Sequence, residues 1–178
     1  MALPALTSCP TYPQYALRDD ESEREKIVAE AVRRLRCGLI TANKPVPFER
    51  GWAGADVKQV PKVLLYEDEE RVELVRELFY QKTLPLWFEY FRSVSNPTQV
   101  YEQGNRMIHE LQIALELDQN FQNGGPPEDP CIPPDPKNAL VTSYGLKRNA
   151  VVELAENRVL ALVVYEFTYY ETHFGADC

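Results

Sequence analysis

No stretch of this sequence stays apolar for the roughly 20 residues that a helix needs to cross a bilayer. The longest candidate, residues 159–165, has the length of a strand, and a soluble protein is expected. Residues 1–13 carry no basic n-region and no apolar h-region, so they do not read as a secretory signal, and synthesis in a cytoplasm is expected. Cysteine is scarce. Cys9, Cys37, Cys131 and Cys178 are scattered without a CxxC pair, which predicts reduced thiols in place of a zinc site or a disulfide framework. Histidine is scarcer still. His109-Glu110 lacks the second histidine of HExxH, and Glu171 with His173 makes at most a two-ligand pair, so no metal is expected. Gly51-Trp52-Ala53-Gly54 has no following Gly-Lys-Ser/Thr and reads as a turn, not as a phosphate loop. No nucleophile stands with a base in any recognisable pattern, so neither an enzyme nor a cofactor is expected.

What is present is ordinary globular material: 44% hydrophobic and 26% charged residues over 178 positions, enough for one domain with a real core. Acids outnumber bases by 27 to 19, and the net charge of −8 disfavours long-range attraction to nucleic acid or to an anionic membrane.

Two regions of the chain stand apart. Residues 1–19 hold Pro4, Pro10 and Pro13 with Tyr12 and Tyr15 and show no periodicity, which predicts an extended N-terminal arm. Residues 118–138 hold Gly124-Gly125 and six of the fourteen prolines, which predicts a long irregular loop. The rest, within 20–178, reads as a single α+β domain.

A first helix opens among Asp20, Glu21, Glu23 and Glu25, acids suited to a helix N-terminus, and carries Arg33, Arg34 and Arg36 toward its other end. Ile27, Val28, Ala31, Val32, Leu35 and Leu39 recur at helical spacing along one face. Pro45 and Pro47 allow no more than a short edge strand around Val46 and Phe48. Residues 61–66 read as a strand, followed by Glu67, Asp68, Glu69 and Glu70, four like charges expected to stand in solvent. Residues 71–81 fit a strand somewhat better than a helix. Residues 84–91 alternate, with Leu86, Phe88 and Tyr90 on one face and Trp87 and Phe91 on the other; only Lys82 and Arg92 flank them, so core packing is favoured over base stacking.

Asn96 and Pro97 suit the cap and first position of a second helix, whose stripe runs through Val100, Met107, Ile108, Leu111, Ala114 and Leu115 to about Leu117. The end of the sequence reads as a hairpin: residues 144–154, a turn at 155–157, then 158–172. Val159, Ala161, Val163, Tyr165, Phe167 and Tyr169 point one way in its last strand, which is expected to be wetter toward its end.

The order of these elements, with Gln59-Val60-Pro61-Lys62-Val63-Leu64-Leu65-Tyr66 running into an acidic turn and Val163-Val164-Tyr165-Glu166-Phe167-Thr168-Tyr169 closing the chain, resembles the tail terminator or tail-completion proteins of long-tailed bacteriophages. The resemblance covers residues 20–172 without the long loop. It implies an α+β fold, a mostly antiparallel sheet with two helices packed on one face, assembled as a hexameric ring that caps the tail tube and joins it to the head connector. The implied partners are further copies of the chain, the tail tube protein and head–tail adaptor proteins. DNA would pass through the ring without specific binding, no membrane would be involved, and the protein would reside in the virion tail after assembly in the host cytoplasm.

In such a ring, acidic groups in the lumen would repel DNA phosphate at short range, and Glu67, Asp68, Glu69 and Glu70 are the candidates for a lumen-facing or tube-facing loop. Subunit contacts would draw on Tyr12, Tyr15, Ile132, Tyr169, Tyr170 and Phe174. Two alternatives stand beside this one: a head-completion or connector protein, and a small ligand-binding domain or accessory enzyme using Glu89, Tyr90 or His109 between the aromatic strand and the long loop.

Overall fold

A computed structural model of the chain describes residues 22–41, 44–51, 59–76, 79–116, 141–155 and 157–172. The expected arm, the 118–138 loop and residues 173–178 lie outside them.

Helix α1 (Glu23–Gly38) begins at Ser22, whose Oγ accepts from the Glu25 amide at 3.3 Å, so Glu23 and Glu25 fall in the first turn, where acids oppose the positive end of the helix dipole. Ile27, Val28, Ala31, Val32 and Leu35 are buried along the expected face, and Leu39 beyond the helix is buried with them. Two short strands, β1 (Ile40–Thr41) and β2 (Lys44–Pro45), pair with each other. They lead into β3 (Phe48–Arg50), the short edge strand that the two prolines permit.

The main sheet continues with β4 (Lys62–Glu67), β5 (Arg71–Arg76) and β6 (Phe79–Ser93), then β7 (Ser143–Leu154) and β8 (Arg158–Thr172). Its order is β3-β4-β6-β8-β7, antiparallel except where β3 runs parallel to β4. Residues 71–76 and 79–81 are thus extended, as expected, and divide between β5 and the beginning of β6. Strands β6 and β8, 15 residues each, pair over their whole length from Phe79↔Thr172 to Ser93↔Arg158.

Strands β4 and β5 lie end to end along the same side of β6, and the break between them explains a proline in a central strand. Pro85 has no N–H, and in an antiparallel strand a residue's N–H and C=O aim at the same neighbour. The Pro85 carbonyl accepts from the Asp68 amide at 3.1 Å, so the missing donor faces residues 68–70, where β4 has ended and β5 has not begun.

Asn96 caps the turn that precedes the second helix, its side chain accepting from the Thr98 amide at 3.1 Å. Residues Pro97–Gln99 form a 3-10 turn before α2 (Val100–Leu115). Both helices pack on one face of the sheet. Their apolar stripes meet Val63 and Leu65 of β4, Leu84, Leu86, Phe88 and Tyr90 of β6, and the whole row Val159, Ala161, Val163, Tyr165, Phe167 and Tyr169 of β8. The expected wetter end of β8 is absent from this row, which stays buried to Tyr169 because Glu70 and Lys82 close over its end. The opposite face carries a small cluster of its own around Leu64 and Phe91. The fold is α+β, with two helices on one face of a mostly antiparallel sheet.

Cys37, on α1, is disulfide-bonded, with its partner outside the described residues, which corrects the expectation of reduced thiols. Cysteines brought together only by the fold leave no local spacing to read. Among the described residues no helix is long and apolar enough to cross a membrane.

Candidate functional site

The acidic segment that the sequence singled out occupies the break between β4 and β5, and its four carboxylates have different surroundings. Asp68 and Glu69 are exposed, whereas the side chains of Glu67 and Glu70 are only 12% and 13% exposed. The expectation that all four stand in solvent therefore fails for two of them. Glu67 ends β4 and accepts from Arg24 Nε at 2.6 Å and from Arg50 Nε at 2.8 Å. Arg50 in turn forms a two-pronged pair with Glu25, both bonds 2.8 Å. One network of alternating charges thus ties the first turn of α1 to β3 and β4.

The electrostatics follow from these bonds. The hydrogen bonds from Arg50 hold the Glu25 carboxyl below its ordinary range, outweighing the partial burial that opposes its charge. Bonds to Glu25, against partial burial, and then to Glu67 raise Arg50 above its usual value. Burial alone would disfavour the charge of Arg24, but Glu67, with Glu70 nearby, more than offsets it. On the other side of the break, Glu70 accepts from the Tyr169 hydroxyl and pairs with Lys82 at 3.5 Å.

Asp68 accepts from the Glu69 amide at 2.8 Å and from Trp87 Nε1 at 3.3 Å. The arrangement fixes position: Glu67 and Glu70 are committed to cationic and phenolic donors, and only Asp68 and Glu69 present charge outward.

The sequence reading missed Arg24 and Arg50, which lie 43 and 17 positions from Glu67. A signal for Arg24 was present. A cation in the first helical turn opposes the dipole, so it needs a carboxylate from elsewhere in the fold.

The subunit-contact candidates separate as well. Tyr169 is 2% exposed and belongs to the core, so its side chain is not offered to a neighbour; strand alternation puts it in the row with Phe167 and Tyr165, under the helices. Tyr170 takes the opposite face, half-buried, with its hydroxyl 3.4 Å from Gln81. Tyr12, Tyr15, Ile132 and Phe174 lie outside the described residues.

The three polar groups of the ligand-binding alternative do not converge. Tyr90 is fully buried on the helix face, with the Arg92 guanidinium 4.7 Å from its ring centre. Its neighbour Glu89 takes the other face and accepts from the Tyr66 hydroxyl at 3.1 Å. The Tyr66 ring stacks on Trp87 with centroids 5.6 Å apart, and burial, then Glu89, raises its hydroxyl above the ordinary range. His109 is exposed on α2.

Among the described residues no strand pairs with the outer side of β7, nor with that of β5. No protein-family model matches the chain, and no curated protein matches it.

Proposed function

We propose that the chain is a structural assembly protein, a ring subunit of the kind that caps a phage tail tube and joins it to the head connector, working in the virion and carrying out no chemistry. The observation that supports this reading best is the edge of β5, which exposes Val72, Leu74 and Val75 and pairs with no strand among the described residues, on a scaffold built on the 15-residue pairing of β6 with β8. Contact between that edge and a different surface of a neighbouring copy is head-to-tail, and a head-to-tail contact whose rotation closes makes a ring, whereas two β5 edges meeting each other would stop at a dimer. Asp68 and Glu69, the outward charges at the β4–β5 break, are the groups that would face passing DNA or the tube.

The test is the mass of the purified full-length chain by light scattering across concentration, with negative-stain images of any large species, alone and with tail tube protein. Rings with a central hole are expected. A monomer at every concentration, with and without tube protein, overturns the reading.

A further inference from the structure

Two strands of the sheet are exposed along five consecutive residues, 71–75 of β5 and 145–149 of β7, and β5 carries the more exposed apolar side chains. It presents Val72, Leu74 and Val75 at 52%, 64% and 42% exposure. Alternation puts Val72 and Leu74 opposite Lys82 and Tyr80 of β6, on the face that the helices cover elsewhere. The edge at β7 is the more heavily defended: Lys147 and Arg148 stand side by side at a bulge within the strand, whereas the irregularity of β5 lies toward its end, between Leu74 and Arg76. On β5 Val72 and Leu74 alternate with Arg71 and Glu73, so one face of the strand is apolar, and among the described residues no strand pairs with its outer edge, the arrangement that accepts an added strand.

Resting on the ring reading, we propose that the occupant of this edge is the N-terminal segment of a neighbouring copy, added to β5 as a strand. Three observations select it. First, residues 1–17 contain no charged side chain, in a chain that is 26% charged, and Ala5 to Cys9 hold Leu6 among small residues, so an edge with exposed apolar side chains is met by an uncharged segment. Second, the prolines at 4 and 10 leave residues 5–9 free of proline, five residues against the five exposed positions of β5. Prolines at its ends would keep the added strand from accepting another beyond it.

Third, the segment leaves the fold at Ser22, and the first turn of α1 is anchored to Glu67 at the β4–β5 break, so the segment starts at the end of the molecule where β5 lies. Its 21 residues reach about 70 Å when extended, more than enough to cross to an adjacent subunit. Because the proposal rests on the ring reading, the occupant is assigned to a neighbouring copy, and cross-linking distinguishes it from the same chain's own segment.

The experiment uses the full-length chain with Leu74 replaced by the photo-cross-linker benzoylphenylalanine, assembled from a mixture of light-nitrogen and heavy-nitrogen protein and analysed by mass spectrometry. Cross-links from position 74 to residues 1–19 that join a light chain to a heavy one are the expected result. Cross-links confined to chains of one isotope, or running to another segment, overturn the proposal while any rings seen in the same sample leave the ring reading standing. No assembly at any concentration removes the ring reading and this proposal together. A second variant, Leu74→Asp, keeps the fold because the side chain is exposed, and it should weaken association about tenfold or more; unchanged association overturns the proposal.

Discussion

Arg34 of α1 donates through Nη1 to the carbonyl oxygen of Leu115 at 2.6 Å, so a fully buried guanidinium satisfies the C-terminal end of the other helix. The last carbonyls of a helix have no partner within it, and the negative end of its dipole favours a cation. The same guanidinium bonds Glu30, one turn back on α1, at 2.9 Å. Arg34→Ala removes a buried charge from a paired site and leaves a carbonyl without its donor. A loss of about 3 kcal/mol is expected from urea unfolding, toward the low end because Arg33 still holds Glu30. A loss under about 1 kcal/mol would show that water replaces the guanidinium and that the contact between α1 and α2 does not depend on it.

Gly104 sits in the middle of α2, where alanine normally stabilises a helix by about 1 kcal/mol. Here the sign reverses. A Cβ at this position would lie 3.0 Å from Val151 Cβ and closer still to both of its methyl groups, on a branched side chain with little rotamer freedom. Gly104→Ala should cost about 1–3 kcal/mol by forcing the helix off β7. Adding Val151→Ala should recover most of that loss. Equal stability of Gly104→Ala and the parent chain would mean that α2 and β7 move apart freely.

The parts of this fold legible from the sequence are those governed by local periodicity. The row of β8 from Val159 to Tyr169 alternates without a break, and the stripe of α1 holds its spacing, so the faces of both elements follow directly. Residues 155 and 157 take turn conformations where the sequence places a turn, and Asn157 has a φ of 55°, which asparagine tolerates better than most residues. What could not be read depends on contacts distant in the chain. Four consecutive acids look solvated because nothing nearby neutralises them, yet Glu67 finds Arg24 and Arg50, and Glu70 finds Tyr169 and Lys82, only after the sheet has formed. Cys37 illustrates the same limit.

That difference within the acidic segment is testable by paired substitutions. Glu67→Gln keeps the size of the side chain but removes the charge shared by Arg24 and Arg50, and it should cost about 1–3 kcal/mol in a denaturant titration. Glu69→Gln touches no such partner among the described residues and should change stability by less than about 0.5 kcal/mol. Equal effects from the two would contradict the network. Asp68 and Glu69 are accordingly the positions to neutralise when testing tube or DNA passage, since changing all four would confound docking with folding.

The disulfide at Cys37 predicts a chemical result. Protein unfolded in denaturant without reductant should resist alkylation at Cys37, and the adduct should appear in a peptide map only after reduction. Alkylation of Cys37 without reductant would restore the reading from sequence.

The pair between Glu25 and Arg50 makes a prediction about acid. Arg50 stays charged throughout, so only the carboxyl titrates, and its folded-state value lies below the ordinary 4.5. A depressed carboxyl binds fewer protons when folded than when unfolded, so the stabilisation is fully present above pH 4.5 and is lost as the pH falls through the lower, folded value. Glu25→Gln lacks this titration. The melting temperature of the parent chain should therefore exceed that of the variant at neutral pH, and the gap should close progressively below pH 4.5. Because both side chains are more than two-fifths exposed, at 44% and 43%, the gap should be small and should shrink in high salt. A gap that persists unchanged into acid would mean that glutamine loses packing there and not charge, and that the link between α1 and β3 is not electrostatic.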